Sequence, residues 1–169
     1  MKPKECPNCK SDMRDVSLNK VTKEEIIYFI GKIDETHQKI IALSGGEQGI
    51  RDEGGLYFSA SSILNYMGRN ILMPTKIGAY IFAEFARKHP FMDGNKRTSY
   101  VFAKMIMLVS RCYLKVNYKE AVPFIIKVAE YESKVKLEEI KRWFDNNSYV
   151  IKEDDIESYI KEIFNELKE

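Results

Sequence analysis

His89-Pro90-Phe91-Met92-Asp93-Gly94-Asn95-Lys96-Arg97-Thr98 is a short polar stretch set between two of the most apolar segments of the chain. Before it runs Pro74 to Lys88, with Ile77, Tyr80, Ile81, Phe82 and Phe85; after it runs Thr98 to Cys112, with Tyr100, Val101, Phe102, Met105, Ile106, Leu108 and Val109. Apolar residues fall on nearly every face of both flanks, the pattern of buried rather than surface helices. Pro90 pushes His89 out of the helical region, so the first helix is expected to end near Lys88. Asp93-Gly94 signals a turn in which Gly94 takes a positive φ, and Asn95 is the expected N-cap of the next helix.

This placement puts Lys96 and Arg97 in a first helical turn, where the dipole is already positive and each cation costs about 0.3–1 kcal/mol. A bound anion resolves the conflict, because the free N–H groups of a helix N-terminus form a phosphate site. The other side chains extend that reading. A protein hydroxyl is a poor nucleophile until a base takes its proton, and histidine, with an ordinary pKa of about 6.5, suits that task at His89. Asp93 is a hard oxygen ligand suited to Mg²⁺, which takes one or two carboxylates plus phosphate oxygens. Gly94 and the backbone after it offer N–H groups to a phosphate, and Asn95 either holds a phosphate oxygen or braces the loop. Lys96 and Arg97 can neutralise charge on a departing phosphoryl group, while Phe91 anchors the loop in the core. Base, divalent metal and phosphate together point to transfer chemistry on a nucleotide. The competing reading is a plain helix–turn–helix connection with an incidental charge pair.

The run from His89 to Arg97 resembles the signature of the Fic/Doc (filamentation induced by cAMP / death-on-curing) proteins, with only Met92 at a free position. Upstream, Gly49-Ile50-Arg51-Asp52-Glu53-Gly54-Gly55-Leu56 is similar to a stretch common in the death-on-curing branch. The resemblance implies the Fic fold, an all-α helical bundle with the active-site loop between two buried central helices. It also implies roles: His89 as base, Asp93 on metal, and Gly94, Asn95, Lys96 and Arg97 on the phosphates of ATP, with Mg²⁺ as cofactor. Adenylylating members usually carry glycine where this chain has Lys96, and a second arginine where it has Tyr100. That departure resembles the death-on-curing branch, which implies a toxin that phosphorylates a protein hydroxyl, expected on a translation factor, and is restrained by an antitoxin. Adenylylation (AMPylation) by the same loop is the alternative, and a non-catalytic partner-binding module the second alternative. Self-inhibited members carry Ser/Thr-x-x-x-Glu-Gly/Asn; the nearest candidate, Ser158 to Glu162, is followed by Ile163, so it reads as ordinary helix surface.

With 169 residues, one domain is expected, and 44% hydrophobic with 31% charged residues are the proportions of a globular protein. The net charge of +2 argues against nucleic-acid binding by bulk electrostatics. No apolar run has the length of a membrane span, and no signal peptide is visible. Three cysteines do not make a disulfide framework, so a cytoplasmic setting is expected.

The expected organisation is a polar tail over 1–20, the main domain over 21–147 and an amphipathic helix over 148–169. The tail holds Cys6-Pro7-Asn8-Cys9, two corners of a tetrahedral zinc site without a second pair. Cys6 and Cys9 are read as a remnant half-ribbon, a zinc site shared between two chains, which keeps a homodimer open, or a redox pair, against a plain mobile tail. Thr22 and Glu25 form a capping-box arrangement for a helix reaching Leu43, with Ile26, Ile27, Ile30, Ile33, His37, Ile40 and Ile41 on its stripe. His37 there reads as a packed histidine rather than a ligand. Gly45-Gly46 ends the helix and Glu47 to Gly55 is a charged loop in which Arg51 and Asp52 receive no chemical role. Further helices are expected over Leu56–Arg69, from Pro74, over Glu120–Tyr131, over Leu137–Asn146 and over Asp154–Leu167. No segment alternates enough to predict a strand.

Overall fold

In a computed structural model, the two apolar flanks of the polar stretch are the central helices, and the architecture is all-α. The structure describes residues 20–152 and 155–168. Helix α3 (Pro74–Lys88) opens on its proline at N1, where the missing N–H costs nothing. It packs against α4 (Asn95–Val109), and the pair forms the middle of the core. The close approach depends on Gly78: a Cβ there would lie 2.3 Å from Met107 Sδ and 3.2 Å from the Phe144 ring.

Helix α1 (Lys23–Ser44) begins with the expected capping box of Thr22 and Glu25 and ends at Gly45 (φ 75°). Its stripe is narrower than the isoleucine spacing suggests, because Ile27 faces solvent while Ile26, Ile33, Ile40 and Ile41 are buried. Helix α2 (Glu53–Arg69) starts earlier than Leu56 because the Asp52 carboxylate accepts from Gly55 N–H at 2.8 Å and caps it. Helix α5 (Tyr118–Ala129) likewise starts two residues early, on a capping box of Asn117 and Glu120. Helix α6 (Leu137–Asn147) packs on α3.

The expectation of no strands is corrected. β1 (Cys112–Leu114) and β2 (Ser148–Val150) pair antiparallel, with Cys112 opposite Val150 and Leu114 opposite Ser148. Three residues are too few to alternate legibly, and β1, buried throughout, reads as a continuation of the apolar helix before it. Helix α7 (Ile156–Asn165) packs its apolar stripe on α4, burying Ile163 and Phe164. Among the described residues no helix is long and apolar enough to cross a membrane.

Candidate active site

The loop between α3 and α4 is shaped from both ends. α3 stops at Lys88, as Pro90 dictates, but His89 enters the left-handed region (φ 49°, ψ 55°) rather than extended backbone. Arg51 fixes it there by donating through its guanidinium to the His89 carbonyl. The Gly49–Asp52 segment then runs antiparallel to Pro90–Met92: Arg51 and Asp52 N–H donate to Pro90 O at 2.8 and 3.1 Å, and Met92 N–H to Gly49 O at 2.9 Å. Arg51 and Asp52, given no chemical role from sequence, are thus the residues that set the loop's course and cap α2.

Phe91 is fully buried, its ring stacked on His37 with centroids 3.9 Å apart. His37 Nε2 donates to the Asp93 carbonyl at 2.9 Å, which fixes the tautomer and ties α1 to the loop. It is a packed histidine, as its place on the apolar stripe predicts, and it braces the metal-binding candidate from behind. Gly94, at φ 73°, is the N-cap of α4 in place of Asn95. A Cβ on Gly94 would meet Ile41 Cδ1 at 2.8 Å, so both conformation and space call for glycine. Asn95 is the first helical residue, and its amide turns back into the loop: Oδ1 accepts from Phe91 N–H and Nδ2 donates to Phe91 O, both at 2.9 Å. Of its two sequence readings, the side chain performs the bracing one.

The first turn of α4 has no acidic residue and no side-chain cap, so the dipole conflict predicted at Lys96 and Arg97 is present. Arg97 is partly occupied: Nη1 donates to Ser44 Oγ and Gly45 O at 2.5 and 2.6 Å, and Nη2 lies 3.4 Å from Asp93 Oδ1. Lys96 is exposed and makes no ion pair among the described residues. Asp93 is half-exposed; the Gly94 N–H, and then Arg97, hold its carboxyl below the usual range. Burial, then Lys96 and Arg51, lower the pKa of His89, so its neutral, proton-accepting form persists below the ordinary histidine value.

These residues enclose a cavity of about 230 Å³ lined by His89, Met92 to Arg97 and Tyr118. On the other side of His89 lies a larger cavity of about 570 Å³, walled by Arg87, Ala129 and Glu130 to Ser133. The small cavity offers the free N–H groups of a helix start, two cations and an ionised carboxylate, which is the donor set for a phosphate chain carrying a hard divalent ion. His89 stands where the two spaces meet, within reach of groups entering from either side. Tyr118, on the cavity wall, carries no sequence signal; only the packing of α5 brings it there.

Tyr100, where a second arginine is usual in adenylylating members of the resembled family, is fully buried and lines neither cavity. Ser158 and Glu162 are surface residues, as expected. The glutamate that reaches Tyr100 is Glu166, one turn further on and outside the Ser158–Glu162 spacing. Cys6 and Cys9 lie outside the described residues. Cys112 is a buried free thiol, and among the described residues no group of three or more His, Cys, Asp or Glu side chains is placed to hold a metal.

Residues 30–107 match the family model described as Fic/DOC family, a segment from within α1 to near the end of α4 that contains the whole loop. The match supports a Fic-type transferase in general and spans a little under half of the chain. Searches of curated proteins and of solved structures return no match.

Proposed function

We propose that this protein transfers a phosphate-containing group from ATP to a protein hydroxyl, and that the group is the γ-phosphate. The observation that carries this reading is a neutral-leaning His89 at the mouth of a small cavity whose remaining walls suit a phosphate chain. His89 takes the proton of the acceptor hydroxyl. The N–H groups of the α4 first turn, with Lys96 and Arg97, bind the phosphates and stabilise charge that moves toward the leaving oxygen. Phe91, Asn95 and His37 hold the loop in that geometry before any ligand arrives. Asp93 would hold Mg²⁺ together with phosphate oxygens; its single ionised carboxylate fits an ion that takes most of its ligands from substrate and water, and the ion would supply charge neutralisation. The larger cavity leaves room for the rest of the complex to reach His89.

Phosphorylation is preferred over adenylylation on two residues. Lys96 fills space that glycine would leave for close backbone approach, and Tyr100 is spent in the core rather than offered to phosphate. The Glu166 carboxylate is also spent in the core, so restraint is proposed to come from a partner protein acting as antitoxin, with a translation component as the acceptor. The test is incubation of the purified protein with Mg²⁺, ATP and a bacterial lysate, followed by mass spectrometry of acceptor peptides. A phosphorylated hydroxyl is expected; a hydroxyl carrying AMP means adenylylation, and no modified protein with intact binding to a lysate component means a non-catalytic binding module.

A pH profile checks the role of His89 separately. The acid limb of kcat/KM, which reports the free enzyme, is expected to fall half-way below pH of about 6.5, because the base stays unprotonated there. Lys96→Gln removes a cation that holds the histidine down, so the limb should move to higher pH. A limb that stays put in that variant would separate Lys96 from the base.

A further inference from the structure

Seven of the eight residues around the small cavity come from the loop and the first turn of α4; the eighth, Tyr118, comes from the start of α5, outside the segment that matches the family. Its backbone N–H donates to Glu166 Oε2 at 3.1 Å, and its ring packs edge-on against Tyr100 with centroids 5.4 Å apart. Glu166 is held in turn. Lys104, fully buried on α4, uses all three of its protons: on Glu166 Oε1 at 2.8 Å, on Tyr100 Oη at 2.9 Å and on Val116 O at 3.2 Å. Tyr100 then donates its own proton to Glu166 Oε2 at 2.5 Å. Every polar atom of this knot has a partner, so it is a rigid support rather than a loose contact.

The Tyr118 hydroxyl, by contrast, donates to no protein acceptor among the described residues. Burial raises its pKa, so it stays a protonated donor, and it feels the charges of Arg97 and Asp93 across the cavity. An O–H on a cavity wall shared with Lys96 and Arg97, at the open start of α4, is placed to donate to a phosphate oxygen held there.

We propose that Tyr118 is a phosphate-contacting residue of the donor site, and that Glu166, on the C-terminal segment, is the positioning residue that fixes it there. This rests on reading the small cavity as the donor-phosphate site. It assigns the end of the chain a part in donor binding that neither the loop signature nor the family match contains.

The test uses the full chain and two probes, Mg²⁺-tripolyphosphate and Mg²⁺-ATP, titrated by calorimetry. Tyr118→Phe keeps the ring and the backbone bond and removes only the hydroxyl. It should weaken both probes about tenfold, the equivalent of one hydrogen bond to a charged group. In turnover it should raise KM for ATP and leave kcat within about twofold, the signature of uniform binding lost. Glu166→Gln should weaken the probes in the same direction, and the double variant should bind no worse than Tyr118→Phe alone, because Glu166 acts through that hydroxyl. Should Glu166→Gln fold poorly, Lys104→Met with Glu166→Gln, which leaves no buried unpaired charge, is measured in its place. Unchanged tripolyphosphate affinity in Tyr118→Phe overturns the inference, as does a wild-type chain that binds no tripolyphosphate; additive losses in the double variant overturn the role of Glu166. Tripolyphosphate binding that depends on Tyr118, in a protein that transfers nothing from ATP, keeps this inference and removes the proposed function.

Discussion

His89→Ala is expected to lower the transfer rate by about 10²–10⁴-fold, the range for removing a positioned general base. The loss should fall on kcat, because in the proposed function the donor phosphates are held by other groups: the α4 N–H groups, Lys96 and Arg97. Alanine in the left-handed conformation that His89 adopts costs about 1–2 kcal/mol. Part of any loss could therefore come from a shifted loop. His89→Asn separates the two effects, since asparagine tolerates that conformation and cannot serve as base. Both variants should bind Mg²⁺-ATP close to the wild-type level and both should be inactive. An active His89→Asn protein would remove the histidine from the chemistry and return the loop to the status of a charged connection between two helices.

Glu166→Ala should destabilise the fold by about 3–5 kcal/mol, because it leaves the fully buried Lys104 ammonium without its counter-charge. The size of that loss should depend on pH, with a definite sign. Burial already lowers the pKa of Lys104, and Glu166 is the main group opposing the shift. Without Glu166 the folded chain sheds that proton more readily than the unfolded chain. The unfolded state therefore binds more protons, and the variant's stability should rise with pH from the folded-state value up to about 10.4, the ordinary value for lysine. Urea unfolding at pH 7 and pH 9 measures both quantities. Replacing the pair together, Lys104→Met with Glu166→Leu, should recover most of the loss, since no unpaired charge remains. A cost under about 1 kcal/mol for Glu166→Ala would mean that the pair behaves like an exposed one.

The parts of this molecule that are legible in its sequence are those encoded by neighbours in the chain. The burial of α3 and α4 shows in apolar residues on every face. The capping box of α1 shows in Thr22 and Glu25, and the turn shows in Asp93-Gly94. Even the residues proposed to carry the chemistry are local, because His89 to Arg97 is one uninterrupted run. What stays hidden is set by partners far along the chain. Asn95 has the composition of an N-cap, yet Gly94 takes that position and the amide turns inward to Phe91. Arg51 looks like a solvated loop residue until it meets the carbonyl of His89, 38 positions away. Glu166 has nothing in its surroundings to distinguish it from other glutamates on an amphipathic helix; its meaning comes from Lys104, Tyr100 and the backbone of Tyr118. The same holds for β1 and β2, whose pairing joins residues 112–114 to 148–150 and leaves no periodic trace in three-residue segments.

The most direct measurement uses two labels. The purified protein is incubated with Mg²⁺ and a bacterial lysate, with ATP labelled at the γ-phosphate in one sample and at the α-phosphate in the other, and with the His89→Ala protein as control. Label reaching protein from the γ position alone, and lost in the control, is the result expected of a base-driven phosphotransfer at this loop. Label arriving from the α position would contradict the reading of Lys96 and Tyr100. Label from neither would contradict the assignment of His89, Asp93, Lys96 and Arg97 to transfer from ATP.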